Sequence, residues 1–317
     1  MGITPRLCNI DSTMKCKSKR QQLRHFIAIL MAIPGVTALA EDSALQDLQA
    51  RAAKADAEAE FLVGRAYFRG DGVAQDDQKA VEWYLKSAAQ GNAKAENNLG
   101  VMYHAGRGTA RDDAQALDWY LKSAQQGTSI AEDAVGQFYA KGWGVPRDDS
   151  KAADWYRKAA EQGLEAAEIH LGNLYYFGGQ GVRQDLKEAA KWISKAAPQG
   201  DPWAQNALGS ILENGFGTDK DPVKAADWYL KAARQNYAKA QGNLGRLYAN
   251  GTGVEQSWPK AYAWLSLGAA GGDVAAGKFL ESSQNYLTPE IVNEGKRLED
   301  DCRAQINNPG GASKASP

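Results

Sequence analysis

Beyond position 40, the residues that could do chemistry are few. They are two histidines, several paired aspartates, a set of Gly-x-Gly turns and one cysteine. His104 and His170 have no second histidine or cysteine at a ligand spacing, so neither reads as a metal ligand. Both read instead as solvated or partly buried histidines. Asp76-Asp77, Asp112-Asp113 and Asp148-Asp149 are adjacent pairs. A calcium loop alternates its oxygens and ends in a distant glutamate. Adjacent aspartates ahead of a helix instead accept the orphan N–H groups of its first turn and complement its dipole. Gly142-Trp143-Gly144 and Gly215-Phe216-Gly217 lack the Lys-Ser/Thr that follows a phosphate loop. Cys302 stands beside Asp300 and Asp301, whose charge raises a thiol pKa and dulls its reactivity. No serine or cysteine is set beside a base. The sequence therefore assigns no catalytic residue, no metal ligand and no cofactor.

The elements around these residues repeat. Trp83, Trp119, Trp155, Trp192, Trp228 and Trp264 are 36, 36, 37, 36 and 36 residues apart. A second series, Gly64, Gly100, Gly136, Gly172, Gly209 and Gly245, keeps spacings of 36, 36, 36, 37 and 36. The extra residue of both series falls in Gly178-Gly179-Gln180-Gly181. In the second unit Ala95, Leu99, Met102 and Tyr103 recur at helical spacing, and Gly106 closes that helix. Asp112 is placed to cap the next helix, whose apolar face is Ala116, Trp119, Tyr120 and Ala124. The equivalent caps are Asp76, Asp148, Asp185, Asp221 and Ser257. Each unit is thus an antiparallel helix pair. The small residues allow close approach, and the periodic tryptophans, Trp119 and Trp155 among them, read as core.

Leu99-Gly100 with Tyr103, Gly106 and Gly108, then Lys86-Ser87-Ala88, Trp119-Tyr120 and Gln126-Gly127, resemble the Sel1-like repeat. This is a tetratricopeptide relative with a longer loop between its helices. The resemblance implies an all-α fold, a right-handed α-solenoid of six helix-pair repeats over 55–271. Ile193 and Leu212 stand where the repeat usually has tyrosine. A cysteine-rich subgroup of the family is associated with β-lactam binding, and this chain lacks its cysteine pairs. A leading helix over 41–54 and capping helices over 272–306 complete the expected organisation, with Thr288 and Pro289 starting the last helix. Residues 307–317 are rich in Pro, Gly and Ser and read as a disordered tail.

Residues 1–40 read as an address. Lys15, Lys17, Lys19, Arg20 and Arg24 precede an apolar run from Phe26 to Thr37, and Ala38-Leu39-Ala40 follows. That order is a secretory signal, with Met14 the better start, and predicts a periplasmic or secreted protein with no transmembrane segment after cleavage. Cys8 and Cys16 would leave with it, so Cys302 has no internal partner for a disulfide. The six bases of this segment face one acid, so the remaining chain carries a net charge of −6. A body that acidic excludes general attraction to nucleic acid.

What remains for function is surface. Two columns vary while their neighbours repeat. One lies two positions before the Leu-Gly leucine, the other one position after the glycine. Packing does not dictate such columns, so they are free to specify a ligand. In tetratricopeptide-like stacks this side of the first helix lines the concave groove. The partner-binding residues drawn from these columns are Asn97, Val101, Asp133, Gln137, Ile169, Asn173 and Asn206. Tyr176 and Trp203 join them as aromatics outside the repeat pattern. The resemblance implies a non-enzymatic exported scaffold that binds a protein or peptide in the groove. The alternative is a cell-wall binding protein, for peptidoglycan or another glycan, or a modulator of a cell-wall enzyme.

Overall fold

The computed structural model describes residues 45–307. The expected signal segment and the tail after Asn307 lie outside the described residues. Helices dominate, and one isolated bridge, Gly179 to Val182, is the sole β-pairing among the described residues. The chain falls into two compact units divided after Asp112.

The first unit holds α1 (45–52), α2 (Ala57–Arg69), α3 (Asp77–Ala89) and α4 (Ala93–Ala105). The second begins with α5 (Asp113–Gln125), α6 (Ser129–Lys141), α7 (Asp149–Glu161) and α8 (Glu165–Phe177). It continues with α9 (Leu186–Ala196), α10 (Pro202–Asn214), α11 (Pro222–Arg234), α12 (Ala238–Asn250) and α13 (Trp258–Ala270). α14 (Val274–Ser282) and α15 (Pro289–Asn307) end it. Even-numbered helices from α2 to α12 are the first, or A, helix of each repeat. Odd-numbered helices from α3 to α13 are the second, or B, helix.

Local chemistry sets these boundaries. Asp76, Asp148 and Asp221 each accept the backbone N–H three residues on, at 3.0 Å. Asp185 and Ser257 cap their helices in the same way. A cap of this kind is worth about 1 kcal/mol. Two aspartates that follow a cap do different work. Asp77 is held by Arg107 at 2.7 and 2.9 Å, and Asp149 by Arg147 at 2.6 and 2.9 Å.

Each A helix lies close on its B helix because glycine faces the contact. A Cβ on Gly209 would sit 2.7 Å from the Tyr229 ring. The residue filling this place is the tyrosine after the periodic tryptophan: Tyr84, Tyr156 and Tyr229 are buried, with Ile193 and Leu265 in their stead elsewhere. This corrects the sequence expectation. Trp119 and Trp155 are half-buried. A lysine one turn on lies over each indole, Lys122 at 3.7 Å and Lys158 at 3.8 Å from the ring centre. Trp83 and Trp228 carry Lys86 and Lys231 in the same way. Trp192 and Trp264 are buried. Tryptophan at this column spans the seam between repeats, so its exposure depends on the neighbour. Tyrosine points inside the pair and is always covered.

The Gly-x-Gly turns also pack between repeats. Gly217 has φ +70°, and a Cβ there would lie 2.3 Å from the Leu186 carbonyl oxygen at the start of the preceding B helix. The longer fourth loop reaches its neighbour differently: the Gln180 N–H donates to Asp149 Oδ2 at 2.7 Å.

At the C-terminal end α14 starts at Val274, within the expected 272–306, because Asp273 caps it. The last helix, α15, packs chiefly on α13 and also touches α11. Its Cys302 and Ile306 rest on the cluster containing Trp264, Leu247 and Tyr229. Burial, then Asp301, pushes the Cys302 thiol pKa up.

Candidate partner-binding face

The variable columns lie on the A helices, and the second unit shows what they do there. Asp133 on α6 is 5% exposed. Its Oδ1 meets His170 Nδ1 of α8 at 2.8 Å, and its Oδ2 accepts from Gln137 Nε2 at 2.8 Å. The His170 ring rests on Tyr156, with centres 5.0 Å apart. Burial first, then the Asp133 and Asp149 charges, hold the Tyr156 phenol protonated far above its usual range. Asn243 Nδ2 of α12 donates to Asn206 Oδ1 of α10 at 3.0 Å. Tyr176 of α8 meets Ser210 of α10, oxygen to oxygen, at 3.3 Å.

The strongest link joins α10, α11 and α12. The Glu213 carboxylate takes both nitrogens of Arg246, at 2.7 and 2.8 Å, and the Tyr229 hydroxyl at 3.0 Å. Burial works against Glu213 ionising, but the Arg246 hydrogen bonds and charge outweigh it, so its pKa lies below the usual value.

These contacts follow a register. The position two before the Leu-Gly leucine reaches the position one before it in the next repeat: Asp133 to His170, Asn206 to Asn243. The position four after the glycine reaches the position one after it in the next repeat: Tyr176 to Ser210, Glu213 to Arg246. The columns vary because each neighbour pair is chosen together. His170, Asn243, Ser210, Glu213 and Arg246 were absent from the sequence-derived set. The signal was present as complementary chemistry at spacings of 33, 34 and 37 residues.

The sequence-derived residues therefore divide. Asn97 and Val101 belong to the first unit, where the Asn97 side-chain oxygen is buried without a protein partner and Val101 is exposed. In the second unit Asp133, Gln137 and Asn206 are engaged in pairs. Ile169, Tyr176 and Trp203 share one hydrophobic cluster while staying half-exposed. Asn173, half-exposed on α8, has no side-chain hydrogen bond among the described residues.

A second polar column lies beneath. Glu132 and Glu168 are buried, and burial raises both pKa values. Gln162 Nε2 donates to Glu132 and Gln199 Nε2 to Glu168, each at 2.7 Å. The next repeat has Gln205 in this position, accepting from Gln235 at 3.0 Å. Gln162, Gln199 and Gln235 thus each tie the turn after a B helix to the A helix before it.

Helix pairs joined in this repeating register define an α-solenoid, a class that works through its surface. Six consecutive segments, 57–92, 93–128, 129–164, 166–201, 204–237 and 238–273, match the Sel1 repeat, and the chain belongs to that family. It is similar to a Sel1 repeat protein from Oxalobacter formigenes, with 30% identity, covering 81% of this chain and 99% of that one, at a TM-score of 0.62. A second similar structure is c5321, a protective antigen of uropathogenic Escherichia coli with an SLR fold. It is 27% identical, covers 87% of this chain and 76% of that one, and has a TM-score of 0.38. The immunity protein Pa5087 from Pseudomonas aeruginosa is 24% identical, covering 71% and 89%, at a TM-score of 0.37. Comparison with curated proteins gave no match. No helix among the described residues is long and apolar enough to cross a membrane.

Proposed function

We propose that the protein is an exported, non-enzymatic scaffold that holds a protein or peptide against its A helices. The observation that carries this reading is an exposed aromatic patch at the end of α8. Phe177 is 66% exposed and stands edge-on to Tyr176, with ring centres 4.9 Å apart. Ile169 and Trp203 pack on the same hydrophobic cluster as Tyr176. Large aromatics at a surface are where binding energy concentrates. The basic, apolar and small-residue order of residues 15–40 supports export.

A photo-crosslinking residue at position 177, in cells fractionated into cytoplasm and envelope, tests both parts. A discrete adduct in the envelope fraction, absent when the crosslinker replaces Lys278, is expected. The mature chain should start at Glu41 by mass. Cytoplasmic retention overturns export, and equal adducts at both positions overturn the binding face.

One observation favours the glycan reading at another place. Trp258 and Tyr286 stack with centres 4.8 Å and planes 4° apart, and Tyr286 is 59% exposed. They border a cleft of about 460 Å³ lined also by Asn250, Gln256, Ser282 and Ser283. Co-sedimentation with insoluble peptidoglycan, lost in Tyr286→Ala, would support it; no sedimentation would dismiss it.

A further inference from the structure

Residues 129–177 map onto 202–250 by a constant shift of 73, which takes Gly136 to Gly209 and Tyr156 to Tyr229. The packing frame is shared. A Cβ on Gly136 would sit 2.6 Å from the Tyr156 ring, and one on Gly209 would sit 2.7 Å from Tyr229. The flanking pair is shared too, Asp133 with His170 in one and Asn206 with Asn243 in the other.

The group between them is not shared. In repeats five and six the Glu213 carboxylate fills this place, bound by Tyr229 and Arg246. The same shift puts Ala140 where Glu213 is and Asn173 where Arg246 is. Ala140 has only a methyl group to offer, and Gln137 and His170, which stand where Ser210 and Asn243 are, bond to Asp133 instead. The Tyr156 hydroxyl and the Asn173 amide accordingly make no hydrogen bond within the described residues.

We propose that this gap in the polar pairing of α6, α7 and α8 takes the side-chain carboxamide of a glutamine or asparagine from the bound partner. The change from Glu and Arg to Ala and Asn removes one charge of each sign, so the missing group is neutral. Asn173 presents a donor and an acceptor on one planar group, which pairs with a second amide through both. The Tyr156 hydroxyl is a donor for the carbonyl oxygen. An incoming carboxylate would meet the charge of Asp133, which already bears on Tyr156 and is partnered by His170 and Gln137 rather than by an arginine. The inference rests on the reading that the A helices bind a peptide, and names what one part of that face reads.

The test uses the full chain, ¹⁵N-labelled, with three capped pentapeptides, Ala-Ala-X-Ala-Ala, where X is Gln, Glu or Lys. The Gln peptide should move the Asn173 side-chain amide resonance saturably, with affinity at least about tenfold above the other two, the worth of one well-made polar contact. The double variant Ala140→Glu with Asn173→Arg should rebuild the Glu213–Arg246 pair in the gap. It should melt higher by about 2–4 °C and no longer perturb its neighbouring resonances with the Gln peptide. Equal affinity for Gln and Glu, no response to any peptide, or undiminished binding by the double variant overturns the proposal. A lower melting temperature for the double variant overturns the register on which it stands. Peptide binding that leaves Asn173 unmoved rejects the gap while leaving the scaffold reading in place.

Discussion

Repeats three–four and repeats five–six are two versions of one arrangement. Both set a B-helix tyrosine under an A-helix glycine, and both tie neighbouring A helices through a polar pair. Repeats five–six finish the job with Glu213 and Arg246, which also engage the Tyr229 hydroxyl. Repeats three–four stop short, leaving Tyr156 and Asn173 with capacity to spare. A solenoid is stable repeat by repeat through nearest-neighbour contacts. It can therefore leave one interface incomplete while others stay closed. The difference teaches that function in such a fold is sought where an inter-repeat pair is missing, rather than where residues vary.

The largest effect expected from breaking either version is at the shared tyrosine. Tyr156→Ala should cost about 3–5 kcal/mol by denaturant unfolding, as large-to-small core changes do. Trp155→Ala should cost clearly less, about 1–2 kcal/mol, since it removes a half-buried ring and its lysine contact. Equal losses would restore tryptophan as the core residue.

The closed version should respond next. Glu213→Ala leaves Arg246 half-buried without its partner, at a cost of about 2–4 kcal/mol at pH 7. Because Glu213 has a depressed pKa in the folded state, its contribution is present above the unfolded carboxylate value and is lost as pH falls through the folded one. Wild type and variant should converge in stability at low pH; a constant gap across pH would mean the loss is packing alone.

A smaller effect of opposite sign is expected at Glu168. Its pKa is raised by burial, so ionisation opposes the fold, and stability is lost as pH rises through the folded value. Glu168→Gln copies what Gln205 already does one repeat later. It should raise the melting temperature at pH 7 and change little at pH 4. A lower melting temperature at pH 7 would show that the carboxylate is needed there. The smallest effect on stability belongs to Asn173→Ala, within about 0.5 kcal/mol of wild type, as for surface changes without a partner. A loss as large as that of Glu213→Ala would show that Asn173 belongs to the framework.

The fold was legible in the sequence because its causes are local. Glycine at Gly106 and aspartate at Asp148 act within one repeat, and the chain shows the glycine six times and the aspartate five, with Ser257 in the sixth. The candidate site was legible only in part. Asn173 and Asp133 were found as variable residues, but Asp133 proved to be bound to His170, and Asn206 to Asn243. Those links cross between repeats, and reading them needs the offset of neighbouring A helices, which spacing alone does not supply. The tryptophan–tyrosine assignment failed for the same reason. Which of two adjacent aromatics points into a pair depends on where the glycine of the other helix lies.

The lysine over each half-buried indole bears on how such proteins change in length over evolution. Every boundary between repeats is a potential end, and an end with a bare tryptophan edge would stick to other chains. A lysine carried one turn away on the same helix, as Lys158 is for Trp155, travels with its tryptophan whenever a repeat is duplicated or lost. Each of the first five repeats thus brings its own cover. The array can gain or lose members without having to evolve a new terminus each time.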